Sequence, residues 1–270
     1  MLHLSSLFKE KFPKIFQDIT SHTAIHEIPN TKDIWIQDFM PIKNTANDWV
    51  LFRYFPKYLR NPNYHSLITD NIQICNELGI AYTYCDMILD GGSVVYKDDL
   101  YFVSERILTD NPSIHKSQIT PILEDIFKTD KIIFLPEAPN DFTGHLDGVL
   151  SILDNKTILL NDYNDEYGNR VHTILKSYQF NIETIPYHPY SNKTYQSAKG
   201  IYINYVKTDH LIFTAIFNQK EDDLAILKLS KLFPKHDIAP IRCTDLAKQG
   251  GLLHCISWEN PINSPTIQIN

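Results

Sequence analysis

The order in which strand-like and helix-like stretches recur constrains this chain more than any single residue does. Residues 34–41 and 49–55 are strand-like apolar runs; a helical spacing through Leu67, Ile68, Ile72, Cys75 and Leu78 follows, then a strand at 80–84. The same order returns at 93–96, 100–103, around 119–127 and 131–135. It returns again at 146–153, 157–160, around 170–178 and 181–185, and a fourth time at 200–206, 211–217, about 222–232 and 237–241. The two element types separate by period, with short continuous or alternating apolar runs for strands and returns at three and four residues for helices. Lys97-Asp98-Asp99 and Asp154-Asn155 supply turns between paired strands. Four strand-strand-helix-strand units leave a remainder at each end. The first reads as a helix with Leu4, Leu7, Phe8, Phe12, Ile15 and Ile19 on one face, then a strand at 23–28; the last reads as strands at 251–258 and 266–269. Joined, they make a fifth unit of the same order, so the ends are expected to meet and close a ring.

Composition narrows the class. A chain of 270 residues, 43% hydrophobic, can bury a sizeable core as one large or two small domains. A net charge of -7 and a pI near 5.8 argue against a nucleic-acid or anionic-membrane partner and favour a small cationic one. Cys75, Cys85, Cys243 and Cys255 are too scattered for a disulfide framework. The start of the chain has no uninterrupted apolar segment of a leader, and no stretch approaches the roughly 18 apolar residues of a membrane span. A reducing cytoplasm is the expected location. The sequence leaves the oligomeric state open, a homo-oligomer included.

Against this frame stand four polar motifs: Trp35-Ile36-Gln37-Asp38, Leu89-Asp90-Gly91-Gly92-Ser93, Gly144-His145-Leu146-Asp147-Gly148 and Gly250-Gly251-Leu252-Leu253-His254-Cys255. Asp38, Gly92, Leu146, Asn204 and His254 step by 54, 54, 58 and 50 residues, each on or beside the first strand of its unit. Together with Ser104-Glu105, Asn111-Pro112 and Leu232-Phe233-Pro234, these motifs resemble the family of agmatine deiminases and bacterial-type peptidylarginine deiminases, in the guanidine-modifying superfamily. The resemblance covers nearly the whole chain. It implies an α/β fold, the pentein five-bladed propeller of repeated strand-strand-helix-strand units closed between the N- and C-termini, as one catalytic domain over residues 1–270. The chain departs from the family pattern at Gln37 (usually Arg), Asp90 (usually Glu) and Gln249 (usually Gly). It also lacks an N-terminal strand with a Trp-Pro pair, whose place residues 266–269 are expected to take.

The resemblance and the residue types agree on a chemistry. A guanidinium carbon is resonance-stabilised, so a thiolate at Cys255 attacks it far better than water and splits the reaction at a covalent adduct. An isolated free cysteine is more often a small buried hydrophobe; the adjoining double glycine and the resemblance favour the nucleophile. His145 is the expected proton donor and acceptor, and strand alternation would aim Asp147 to the same face. Asp38 and Asp147 would grip the guanidinium nitrogens, with Trp35 and Asn204 against the rest of the substrate and Asp90 orienting His145 from behind. Asp38 and Asp90 also suit ordinary turns, and Asn204 a strand end. His145, Asp147, His254 and Cys255 are ligand types, yet their spacing fits no zinc pattern, so neither metal nor cofactor is expected. Arg53, Lys57, Arg60 and Arg106 are candidates to meet a substrate carboxylate. Agmatine leads as substrate, followed by peptidyl or free arginine. An amidinotransferase and an inactive guanidinium-binding relative are the rival readings.

Overall fold

A strand paired antiparallel on one side and parallel on the other is the unit from which the structure is built. The computed structural model of the chain describes residues 1–139, 141–189 and 197–259. Strands β1 (Leu2–Ser5) and β2 (Ile25–Ile28) open the chain, and β3 (Ile42–Lys43), β4 (Trp49–Arg53) and β5 (Tyr82–Ile88) form the next sheet. Then come β6 (Val94–Lys97), β7 (Leu100–Ser104) and β8 (Ile132–Leu135), and β9 (Leu150–Asp154), β10 (Thr157–Asn161) and β11 (Asn181–Ile185). Strands β12 (Val206–Lys207), β13 (Leu211–Ile216) and β14 (Asp237–Arg242) precede β15 (Ser257–Glu259), which returns to β1. The described residues thus make five three-stranded sheets. In each, the middle strand runs antiparallel to the inner strand and parallel to the outer one, as β7 does between β6 and β8.

Parallel neighbours cannot be joined by a tight hairpin, so a helix crosses between middle and outer strand each time. These crossovers are α1 (Ser6–Lys11) with α2 (Pro13–His22), then, after the short α3 (Ile36–Phe39), α4 (Asn71–Glu77), α5 (Arg106–Asp110) with α6 (Lys116–Phe127), α7 (Glu166–Ser177) and α8 (Glu221–Leu232). Local chemistry starts them: Asp70 and Asp165 accept backbone N–H groups at the N-termini of α4 and α7, at 2.9 and 2.8 Å. Burial follows position. All five residues of β7 are buried, and β10 is buried from its second residue on, because a middle strand has packing on both faces. The outer strands β11 and β14 alternate or face water.

The apolar side chains gather in several clusters between sheets and helices instead of one central core. The five inner strands line a shared cavity of about 480 Å³, with Ile42, Tyr96, Ile152, Val206 and Trp258 in its wall. Among the described residues no helix is long and apolar enough to cross a membrane.

The expected N-terminal helix needs correction. Leu4 does not begin a helix: Leu2–Ser5 is the middle strand of the sheet that joins the chain ends, buried along its whole length. The Ser5 hydroxyl accepts from Leu7 N at 3.0 Å and starts α1 there; Pro13, which has no N–H to give, opens α2 and divides the expected single helix. The strand expected at 266–269 lies outside the described residues.

The inner strands are also shorter than expected. Residues 36–39 form a helical turn, and the strands expected from 146, 200 and 251 begin only at Leu150, Val206 and Ser257. The motifs therefore occupy the turns that feed the inner strands. Turns free backbone groups to join motif to motif: Leu146 N and Asp147 N donate to Gly92 O at 2.8 and 3.2 Å, and Gln37 N to Cys255 O at 3.2 Å.

The pairing at the chain ends makes a direct prediction. Leu4, fully buried in β1, should cost about 2–5 kcal/mol on replacement by Ala. A urea unfolding midpoint that hardly moves would show that Leu2–Ser5 is not packed as the middle strand.

Candidate active site

Four turns deliver the motif side chains to one place. Asp38, Asp90, His145, Asp147 and Asn204 are all less than a tenth exposed, which no charged group tolerates without partners. Asp147 Oδ2 accepts from His254 Nδ1 at 3.0 Å and from Cys255 Sγ at 3.5 Å. Asn204 Nδ2 donates to Cys255 Sγ at 3.2 Å, while its Oδ1 accepts from His254 N at 2.9 Å. One amide thus ties the thiol to the backbone of the turn that carries it.

On the other side, His145 lies between two acids. Its Nε2 is 3.2 Å from Asp90 Oδ2, and its Nδ1 is 3.6 Å from Asp38 Oδ1. Tyr58 Oη donates to the same Asp90 oxygen at 3.0 Å. Close approach requires glycine here. A Cβ on Gly92 would overlap the His145 ring and the Asp38 carboxylate, and one on Gly251 would overlap the Trp35 indole, which lies against the Cys255 turn.

The electrostatics follow from burial and neighbours. Burial opposes a charged His145, but Asp38 and Asp90 outweigh it and raise the imidazole to about 10, so it is an imidazolium at neutral pH. Burial also works against a charged Asp147, yet the His254 hydrogen bond and the nearby imidazoles hold its carboxyl below the usual range. Asp38 is pushed well up, by burial first and by Asp90, Asp147 and Asp33, with His145 pulling the other way. Burial, then Asp147 and Asp38, drive the Cys255 thiol well above its ordinary value. At neutral pH the sulfur is therefore a protonated thiol in a negative field.

Asp38 Oδ1 and Asp90 Oδ1 are buried and accept no hydrogen bond among the described residues, His145 Nδ1 standing off at 3.6 Å from the first. Such open acceptors suit the N–H groups of a cationic ligand. Among the described residues no group of three or more His, Cys, Asp or Glu is placed to hold a metal ion.

The structure brings together Asp38, Asp90, His145, Asp147, Asn204 and Cys255, with Trp35 beside them. One premise fails: His145 and Asp147 do not share a strand face. They sit in a turn, His145 directed to Asp38 and Asp90, Asp147 to His254 and Cys255. Two neighbours were not expected. The sequence marks His254 only as a metal-ligand type, although its place next to Cys255 is a signal. Tyr58 belongs to a loop whose sequence carries no motif. Of the four basic candidates, Arg53, Arg60 and Arg106 form ion pairs with Asp86, Asp110 and Glu137, and the Lys57 side chain is exposed.

Five inner strands thus surround a common cavity, with a thiol, an imidazole and buried acids at the turns that lead into them. The chain belongs to the Porphyromonas-type peptidyl-arginine deiminase family, whose model matches residues 8–261. It is 27% identical over 224 residues to a putative agmatine deiminase of Mycoplasma mycoides subsp. mycoides, an alignment that covers 70% of this chain and 62% of that protein. The chain therefore spans under two thirds of that relative's length. Its fold resembles the agmatine deiminase of C. jejuni, with a TM-score of 0.76 at 21% identity over 95% of this chain and 92% of the other. It also resembles the agmatine deiminase of Enterococcus faecalis, with a TM-score of 0.77 at 16% identity over 96% and 92%.

The raised thiol predicts how Cys255 meets an alkylating agent. At pH 7 iodoacetamide should label the Cys255 peptide about tenfold or more slowly than a small free thiol, the rate climbing with pH above about 8. Labelling at pH 7 as fast as the free thiol, read by mass spectrometry, would mean that a thiolate is already present.

Proposed function

We propose that the chain is a hydrolase that deiminates a small guanidine, agmatine first, to N-carbamoylputrescine and ammonia. The observation that carries this reading is the Cys255 thiol 3.5 Å from a buried Asp147, in the same negative field that charges His145. A cationic guanidinium is the ligand that such a field recruits. Asp147 and the open oxygen of Asp38 hold its N–H groups and leave the carbon to the sulfur. Its positive charge offsets the two carboxylates, and the thiol then gives its proton to solvent.

The steps follow from the side chains. The thiolate adds to the guanidinium carbon; the C–N bond to one terminal nitrogen breaks as the His145 imidazolium donates its proton, and ammonia leaves. The remaining amidino group is a cationic thiouronium on Cys255. Neutral His145 then takes one proton from water, the oxygen adds to the same carbon, a second proton goes to solvent, and the C–S bond breaks. The products are the ureido compound and a free thiolate. Asp90 holds His145 in place through both halves, Asn204 holds the sulfur, and Trp35 walls the site.

Agmatine is favoured over free arginine by what the cationic side chains already do. A free amino acid needs a clamp for its carboxylate, and of the four basic candidates Arg60 and Arg106 are held by Asp110 and Glu137 and Arg53 lies by Asp86, which leaves the exposed Lys57 alone for that task. A net charge of -7 further favours a substrate with two positive charges. In this reading the five sheets are blades of a closed propeller that forms one catalytic domain over the chain, as the shared cavity wall supports. Four unpaired cysteines suit a cytoplasmic location.

Ammonia release is measured from agmatine, arginine and a blocked arginine peptide. Agmatine should be turned over best, and Cys255→Ser should lose on the order of 10³-fold or more in kcat with the fold retained. Full activity in that variant would remove the sulfur from the mechanism. Asp147→Asn should raise KM and lower kcat together, because the same carboxylate binds the ground state and steadies the charge in the transition state. Dialysis against EDTA should leave the rate unchanged, and a strong loss restored by a divalent metal would replace this chemistry with a metal-assisted one.

A further inference from the structure

Tyr58 stands in a single helical turn, Lys57–Leu59, that belongs to none of the motifs. Its hydroxyl donates to Asp90 Oδ2 at 3.0 Å, and that oxygen is also the partner of His145 Nε2 at 3.2 Å. Its ring stands edge-on to His145, centroids 6.1 Å apart at 71°, and edge-on to Phe142 at 5.5 Å and 90°. The turn is pinned from behind: Asp110 Oδ1 accepts from Lys57 N at 2.9 Å, and Arg60 Nη2 donates to Asp110 O at 2.8 Å. A tyrosine held from three sides on the acid behind the imidazole is placed to act through it.

We infer that Tyr58 is a positioning residue, which shares the Asp90 carboxylate with His145 and so sets how tightly the imidazole holds its proton. Two donors on one oxygen divide its charge, so the phenol draws off part of what would otherwise bind the imidazolium proton. The phenol stays protonated in this role, since burial first and then Asp90 push it well above its ordinary value. The acids that face His145 are Asp38, Asp90 and Asp147, and a second buried phenol, Tyr54, faces Asp38, Asp90 and the Tyr58 hydroxyl. Of these, Asp90 is the one that accepts the Tyr58 hydrogen bond. The activity arm of the inference rests on the deiminase reading; the titration arm does not.

The test follows the His145 ring by NMR through its titration in wild type and in Tyr58→Phe. Without the phenol the whole charge of the Asp90 oxygen falls on the imidazole, so the midpoint should move up by about one pH unit. The alkaline limb of kcat/KM for ammonia release from agmatine should move the same way, with KM within about twofold. Phe142→Leu, which removes ring packing and keeps the phenol, should leave the midpoint in place. A midpoint in Tyr58→Phe equal to wild type, or a change in KM alone, would overturn the assignment. Should that variant not fold, 3-fluorotyrosine at position 58 keeps the shape and strengthens the donor. The midpoint should then move down, and an unmoved one overturns the inference equally. If the wild-type chain releases no ammonia from any guanidine, the functional reading fails, while the titration still decides the role of Tyr58.

Discussion

Three carboxylates buried within reach of one imidazole are the constraint on which the rest of this structure depends. Asp38, Asp90 and Asp147 are each at most 7% exposed, and like charges in a low-dielectric interior repel strongly. The fold answers with imidazoles: His145 between Asp38 and Asp90, and His254 on Asp147. The compensation is incomplete, because one oxygen of Asp38 and one of Asp90 accept no hydrogen bond among the described residues. Burial and the same acids hold the Cys255 thiol well above its ordinary value, and on the proposed reading a bound cation relieves that field. Under the proposed chemistry this protects the sulfur before substrate binds and couples its activation to binding.

Such a site is costly to hold, and the architecture explains how it is held. Each sheet places a middle strand between two partners and a crossover helix, so the scaffold is rigid where the turns leave it. The turns then hydrogen-bond to one another through their backbones, with Gly92 O accepting from two residues of the His145 turn and Cys255 O from Gln37. Preorganisation comes from these cross-links as much as from the strands. The pairing of β1 with β15 extends the same logic to the chain ends, because β15 begins two residues after Cys255 and is anchored by a strand from the N-terminus.

The departures from the family pattern sit on this scaffold with different consequences. At Gln37 the backbone N–H bonds to Cys255 O, a contact that any residue except proline could make. At Asp90 the shorter side chain still reaches His145, and Tyr58 shares its oxygen. The first leaves that backbone contact intact while Gln37 lines the shared cavity; the second changes the neighbours of His145.

Much of this was legible in the sequence. The recurring strand-strand-helix-strand order follows from apolar periodicity, a local property, and the middle strands announce themselves as continuous apolar runs because they are buried on both faces. The motifs also marked in advance most of the side chains that the structure gathers at one place, namely Asp38, Asp90, His145, Asp147 and Cys255. The sequence was less informative where a segment depends on a distant partner. Leu2–Ser5 has a helical-looking spacing that only its pairing with β15 and β2 overrides. His145 and Asp147 looked like strand neighbours, but bonds to Gly92 O hold them in a turn that sends them to different partners. What the sequence by itself determined was the set of elements and reactive groups, because these depend on short-range pattern and intrinsic chemistry. Tertiary structure alone decided which oxygen faces which nitrogen, and it enlisted His254 and Tyr58, because hydrogen bonds and burial are fixed by neighbours far along the chain.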